Sequence, residues 1–478
     1  MTGHEVVTPN PWMMLPFAAL LITIALAPLL AQNWWLKHYP KVAFALGGIT
    51  LGYYLFGLKA YGRVGEVAHE YISFIALIGA LFVVSGGIHI NVKGQATPFA
   101  NVVFLLIGAI IANVLGTTGA SMLLIRPWIR MNKYRVTTYH IAFFIFIVSN
   151  VGGCLTPIGD PPLFLGYLKG IPFWWVAEHC WSMWAVGVGA LLAMFYVVDS
   201  LNFRRAPKEI REKETAAESW RLDGLANLFF LAVLLGAVFI SNPPFLREGL
   251  MIAAALGSYF TTKKSVHEAN DFNFHPIQEV AILFIGIFAT MMPALDWLSG
   301  NASDLLGHDP APAIFYWGAG VLSSVLDNAP TYLGFLSAVF GAYIDHDIVA
   351  QVQTHLAGGA VDFSNLTGPH AEQIRHTLEA LQRYHASDVA ARVVTVDEIK
   401  ICYLLGNTSL NNFIVAISIG AVFFGAATYI GNGPNFMVKS IAHHQKVHTS
   451  TFIGFIGKFT LPFLLPVLVL IWWLFFRR

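Results

Sequence analysis

The stretch SNVGGCLTPIGDPP, residues 149–162, places hydroxyls, an amide and a carboxylate directly after the apolar run HIAFFIFIV. Glycines 152 and 153 and Pro157 break the helix which that run begins. The break frees backbone carbonyls beside the oxygens of Ser149, Asn150, Thr156 and Asp160. Such an oxygen-rich nest suits a hard monovalent cation, and a carboxylate supplies the balancing charge. A second carboxylate, Asp327, stands in VLDNAPTYLG. An ionisable group at membrane depth costs at least ~2.5 kcal/mol, which makes Asp160 and Asp327 functional candidates by default.

Each has a plainer reading. Asp327 could cap a helix with Pro330 in its first turn, and Asp160 could cap a turn near the membrane surface. Asn150, Thr156, Asn328, Thr331, Asn432 and Asn435 are ion ligands on one reading. On the other they satisfy loose backbone or hold helices together. Asn150 and Asn328 lead because they flank breaks. The sequence expects Na⁺ at Asp327, Asp160, Asn150 and Asn328. GTTGAS, with Gly116, Thr117, Thr118 and Ser121, would line the pathway. So would Asn407 and Thr408 of GNTSLNN, together with Asn435. If the helix after GNTSLNN starts only near Asn412, that cluster is instead the polar mouth of the helix.

The elements that must position these groups are membrane helices. Of 478 residues 56% are apolar and 12% charged, about half the charge of soluble domains. The net charge of +1 gives no sign of a nucleic-acid partner. The three cysteines read as small buried hydrophobes. No Lys or Arg precedes the first apolar run, so residues 1–31 are expected to stay as an N-terminal transmembrane helix. Further spans are expected near 41–59, 69–89, 98–115, 138–156 and 172–199. A second group is expected near 224–241, 249–262, 276–294, 311–326, 397–430 and 452–476. The basic linker 201–223, with Arg204, Arg205, Lys208, Arg211, Lys213 and Arg221, is expected in the cytoplasm by the positive-inside bias. A polar insertion, 343–396, is expected outside the membrane on the other face, with Ile374, Leu378 and Leu381 on one side of a helix. Its histidines lack close ligand spacing, so metal binding there is the minor reading.

Two polar interruptions recur in the same order in both halves. ANVLGTTGASMLLIRP (112–127) and the break at 149–162 belong to a first repeat, 32–200. SSVLDNAPTYLGFL (323–336) and a break at 428–436 belong to a second, 224–478. Polar elements at matching positions in two halves are what inverted-repeat transporters carry. The expected fold is therefore an all-α polytopic membrane protein of two inverted repeats. Each repeat has about five helices, a re-entrant hairpin and a broken transmembrane helix, and one helix is extra. No HExxH, GxSxG, P-loop or dinucleotide fingerprint is present, so neither an enzyme nor an ATP-driven pump is expected, and no cofactor.

At SNVGGCLTPIGDPP and VLDNAPTYL the sequence resembles the ion transporter superfamily. Within it, the motifs resemble NhaD-type sodium/proton antiporters, and nearly the whole chain resembles a neighbouring group labelled putative citrate transporters. The resemblance implies two inverted repeats with two re-entrant hairpins, a homodimer, and function carried by Asp160, Asp327, Asn150 and Asn328. It departs at the first hairpin, where NhaD-type proteins tend to carry Asp-Asn and this chain has Gly116-Thr117-Thr118.

The leading expectation is Na⁺/H⁺ exchange, with Na⁺ and H⁺ competing for desolvated carboxylates in the lipid bilayer of a bacterial inner membrane. The alternative is sodium- or proton-coupled uptake of citrate or a dicarboxylate. For that, GTTGAS offers hydroxyls and a helix N-terminus, but no Lys or Arg falls within it, and Arg126, at an expected helix end, is the nearest.

Overall fold

The computed structural model describes residues 8–91, 97–205, 221–240, 243–306, 311–357 and 370–477. Residues 206–220 of the basic linker and 358–369 of the insertion lie outside them. The described chain is almost wholly helical, with one short antiparallel ribbon pairing His89–Asn91 to Arg221–Asp223. Six of its helices are long and apolar enough to cross a membrane, or up to eight if each of two bent pairs is one span. This is an integral, multi-pass, all-α membrane protein.

One of those six does not run straight. Pro98–Met131 has 34 residues and would extend about 51 Å as a continuous helix. Gly116 interrupts it with φ of 72°. Near the two ends, Asn101 Nδ2 donates to Asn132 Oδ1 at 2.8 Å and Asn132 Nδ2 donates back to Asn101 Oδ1 at 3.1 Å. Residues 31 apart can exchange amide bonds only if the chain doubles back. The element is a helical hairpin with its tip at Gly116. A second hairpin is formed by Pro312–Val325 and Asn328–Tyr343, where Gly318 leaves room for the Phe335 ring from the opposite arm. Both hairpins are longer than the 112–127 and 323–336 expected from the polar stretches, because apolar arms carry no signal of where they turn.

The helices around the hairpins pair in a crossed pattern. Gln32–Gly52 packs on His275–Leu306, and Leu246–Thr261 packs on Tyr61–Gly86. Small residues allow the first contact, with Gly47 against Ala289 and Gly286 against Ala43. Leu15–Leu30 rests on Gln32–Gly52 and His275–Leu306, as Asn227–Val238 rests on Leu246–Thr261 and Tyr61–Gly86.

Two expected spans are corrected. The α-helix begun at Thr138 ends at Ile147, a single 3-10 turn follows at Val151–Gly153, and α-helix resumes only at Pro161–Leu168. The apolar run 397–430 is two helices, Val396–Gly406 and Asn411–Gly425, bent by 106°. In the insertion, Ala371–Tyr384 buries Ile374, Leu378 and Leu381 against Val396–Gly406, on the face its spacing predicts.

Candidate functional site

The two broken helices meet between the hairpin tips. Asp160 precedes Pro161 and Pro162, and its backbone is extended, as the residue before a proline must be (φ −142°, ψ 143°). It stands at the N-cap position of Pro161–Leu168, yet its side chain makes no cap bond. Pro162 removes the N–H of the second helical position, and the N–H of the third, Leu163, donates to the Asp160 backbone carbonyl at 3.1 Å. The carboxylate reaches across the molecule instead. Asn432 repeats the arrangement before Gly433 and Pro434, with extended backbone and no cap bond.

Asp160 is buried and accepts three hydrogen bonds. Thr117 Oγ1, at the first hairpin tip, donates to Oδ1 at 2.7 Å, and Asn432 Nδ2 donates to the same oxygen at 2.9 Å. Asn328 Nδ2, at the second hairpin tip, donates to Oδ2 at 2.5 Å. Both hairpins and both broken helices thus contribute to one carboxylate. Bonds to an ionised group are worth about 1.5–3 kcal/mol each, so the trio holds Asp160 rigidly. Among the described residues no Lys or Arg lies within ion-pair distance of Asp160 or Asp327.

A second layer of amides sits behind. Asn150 Nδ2 donates to Asn435 Oδ1 at 2.7 Å and to the Ile145 carbonyl at 2.8 Å. Asn432 Nδ2 also approaches Asn150 Oδ1 at 3.1 Å and the Ser149 carbonyl at 3.3 Å. Asn435 Nδ2 donates to the carbonyls of Gly425 and Thr428, both at 2.8 Å. The hydroxyls of Ser121 and Ser149 lie 2.7 Å apart, both buried. Asn328 Oδ1 is buried and has no partner among the described residues.

The tips are shaped by backbone. Gly116 adopts a left-handed φ, and a Cβ there would stand 3.1 Å from the Ile158 carbonyl. That close approach lets Thr117 N–H donate to the Gly159 carbonyl at 2.7 Å. A cavity of about 20 Å³ lies beside Asp160, lined by Gly116, Thr117, Thr118, Gly159 and neighbouring apolar residues. One water or one small ion fills such a space.

The remaining expected residues take other positions. Asp327 is half-buried, and its Oδ1 accepts from Ala329 N–H at 3.0 Å, which makes it the N-cap of Asn328–Tyr343. It makes no hydrogen bond to the Asp160 cluster; its neighbour Asn328 does. Thr331 Oγ1 donates back to the Asp327 carbonyl at 3.0 Å, within the same helical turn. Thr156 Oγ1 donates to the Asn113 carbonyl at 2.6 Å and holds the bend. Asn407 and Thr408 fall at the turn before Asn411–Gly425; Thr408 is exposed, and Asn407 Oδ1 accepts from Ser409. GNTSLNN is therefore the mouth of a helix rather than part of the cluster.

Sequence reasoning missed Asn113, which is buried and ties the first hairpin to the break. Its Nδ2 donates to the Gly152 carbonyl at 2.7 Å, and its Oδ1 accepts from Leu155 N–H at 2.8 Å. Thr428 was missed too; its Oγ1 donates to the Ser324 carbonyl at 2.6 Å. The quoted repeats contained the signal, since NVLGTT set against SVLDNA puts Asn113 opposite Ser324, and TPIGD set against TYIGN puts Thr156 opposite Thr428.

The family model described as putative citrate transport matches residues 7–476. No curated protein matches the chain.

Proposed function

Because the chain belongs to the putative citrate transport family, we propose that it is a secondary transporter whose cation site is centred on Asp160. The observation that carries this reading is the Asp160 carboxylate itself. It is buried, held by donors from Thr117, Asn328 and Asn432, and among the described residues no cationic side chain neutralises it. A buried charge of that kind requires a counter-ion or a proton. Na⁺ and H⁺ competing for Asp160, with Asp327 nearby, give obligatory exchange when the site faces the two sides of the membrane alternately. Asn328 Oδ1, buried and unpartnered among the described residues, and the oxygens of Asn150 and Ser149 would complete the shell.

Two inverted repeats would account for the crossed helix pairs and the twin hairpins, which would then be re-entrant. On that reading Leu15–Leu30 is the counterpart of Asn227–Val238 and belongs to the first repeat, not outside it. A homodimer in a bacterial inner membrane completes the proposal.

A second reading, uptake of citrate or a dicarboxylate coupled to the same cation, is favoured by the family description. The small cavity and the lack, among the described residues, of a cationic side chain at the acids weigh for exchange. Proteoliposomes with a preset pH gradient separate the two. Exchange requires that Na⁺ alone collapses the gradient and that Asp160→Asn abolishes the response. A gradient that moves only when citrate is added transfers the case to anion transport. No response to Na⁺, Li⁺ or citrate removes both.

A further inference from the structure

Outside the membrane site, two side chains of the insertion and one of the helix that follows it converge on one point. His385 precedes the short helix Ala386–Ala391, which carries Asp388, and Glu398 lies in the first turn of Val396–Gly406. His385 Nε2 lies 2.9 Å from the Gly170 carbonyl. A carbonyl can only accept, so Nε2 carries a proton and Nδ1 is turned the other way. That nitrogen faces Asp388 Oδ2 at 3.7 Å and Glu398 Oε1 at 3.6 Å. All three side chains are largely buried, with 11%, 13% and 18% of each exposed.

These separations are too long for hydrogen bonds, which lie near 2.7–3.2 Å. Both fit ligand atoms that share one ion. Metal–ligand bonds of about 2.0–2.2 Å meeting at 110–120° put the ligand atoms roughly 3.3–3.8 Å apart. The three ligand atoms lie within 4.8 Å of one another. One imidazole with two carboxylates, the imidazole oriented through its other nitrogen by a backbone carbonyl, is the donor set of a borderline divalent cation. Glu398 is itself oriented, because its Oε2 accepts from Thr395 N–H at 2.7 Å.

We propose that His385, Asp388 and Glu398 bind a divalent transition-metal ion of the Zn²⁺ type, with water in the remaining position. The ion would pin the insertion to the turn at Gly170. That turn ends Pro161–Leu168, the helix that begins beside Asp160. The adjacent pair Lys169 and Asp397, 2.8 Å apart, fixes the same junction. Gly170 is needed there, because its φ is +103° and a Cβ would stand 2.9 Å from Glu398 Cγ.

The test is direct binding and does not depend on transport. The full-length protein in detergent, stripped with a chelator, is titrated with Zn²⁺ alone. Wild type should bind one ion tightly. Asp388→Asn should weaken that ion by more than about tenfold. His385→Gln, which can still donate to Gly170, and Glu398→Gln, which can still accept from Thr395, should do the same. Equal affinity and stoichiometry in wild type and these folded variants overturn the site, as does a wild type that binds no Zn²⁺. Should the variants fail to fold, X-ray absorption at the zinc edge of the wild-type protein decides. It must show one imidazole with oxygen ligands, and sulfur or several histidines in the shell overturns the assignment.

Discussion

Asn432 Nδ2 donates to Asp160 Oδ1 at 2.9 Å, and the two residues occupy the same place in the two copies of the broken-helix motif, 272 residues apart. The motif meets its own counterpart at the centre of the protein. Other bonds repeat around this contact. Thr156 Oγ1 binds the Asn113 carbonyl as Thr428 Oγ1 binds the Ser324 carbonyl, each at 2.6 Å. Gly159 N–H donates to Thr156 Oγ1 as Gly431 N–H donates to Thr428 Oγ1, each at 3.1 Å. The frame is duplicated and the charge is not: one half supplies an acid, the other an amide.

That asymmetry gives the first prediction. Asn432→Asp would set a second carboxylate against Asp160 at the 2.9 Å now spanned by a hydrogen bond. Two carboxylates that close cannot both stay ionised without a proton or cation between them. In Na⁺-free buffer at pH 8 the variant should unfold at a lower temperature than wild type, and Na⁺ should restore it by more than it shifts wild type. An identical Na⁺ response in both proteins would count against a cation at this oxygen.

Asp327 combines a structural bond with a proposed charge role, and Asp327→Asn separates them. Asparagine caps a helix as well as aspartate does, so the bond to Ala329 survives and stability should change by less than about 0.5 kcal/mol. Na⁺-dependent proton movement should nevertheless be lost. A variant that is both stable and fully active would leave Asp327 as a cap alone.

Gly116→Ala probes the first hairpin tip. Placing an L-residue at φ of 72° and ψ of 157°, a region open essentially to glycine alone, costs roughly 1–3 kcal/mol, and the new methyl meets the Ile158 carbonyl at 3.1 Å. The tip must shift, taking Thr117 away from Asp160 and weakening Na⁺ dependence. Gly48→Ala, where nothing lies within 4 Å, is the matched control and should behave as wild type. Transport with a raised apparent Na⁺ requirement in the first and not the second is the expected pattern.

Asp199→Ala addresses the base of the same hairpin. The Asp199 carboxylate pairs with Arg135 and accepts from Asn101 Nδ2 at 2.9 Å and Tyr139 Oη at 2.7 Å. Removing it takes the counter-charge from Arg135, whose side chain is only 2% exposed. Stability should fall by about 3–5 kcal/mol. Thermal unfolding in detergent measures this, and a loss below 1 kcal/mol would mean that the pair does not anchor the hairpin.

By itself the sequence determined the class of molecule and the location of the break after Ile147. Composition and apolar runs require a membrane protein, because hydropathy is additive along the chain and needs no contacts to be read. Gly152, Gly153, Pro157 and the double proline after Asp160 mark a helix break by local sterics, which are equally legible. The amphipathic spacing of Ile374, Leu378 and Leu381 placed an insertion helix face correctly for the same reason. Tertiary structure alone decided which breaks meet. Asp160, Thr117, Asn328 and Asn432 come from four distant segments, and only packing sets them within hydrogen-bond reach. It also took Asp327, the more prominent acid in the sequence, into a cap and drew Asn328 into the cluster instead. Asn407 and Thr408 went to a mouth because the chain bends by 106° between Val396–Gly406 and Asn411–Gly425, a bend that two adjoining apolar runs do not announce. Partner choice among identical side-chain types depends on three-dimensional distance, and a linear pattern does not contain it.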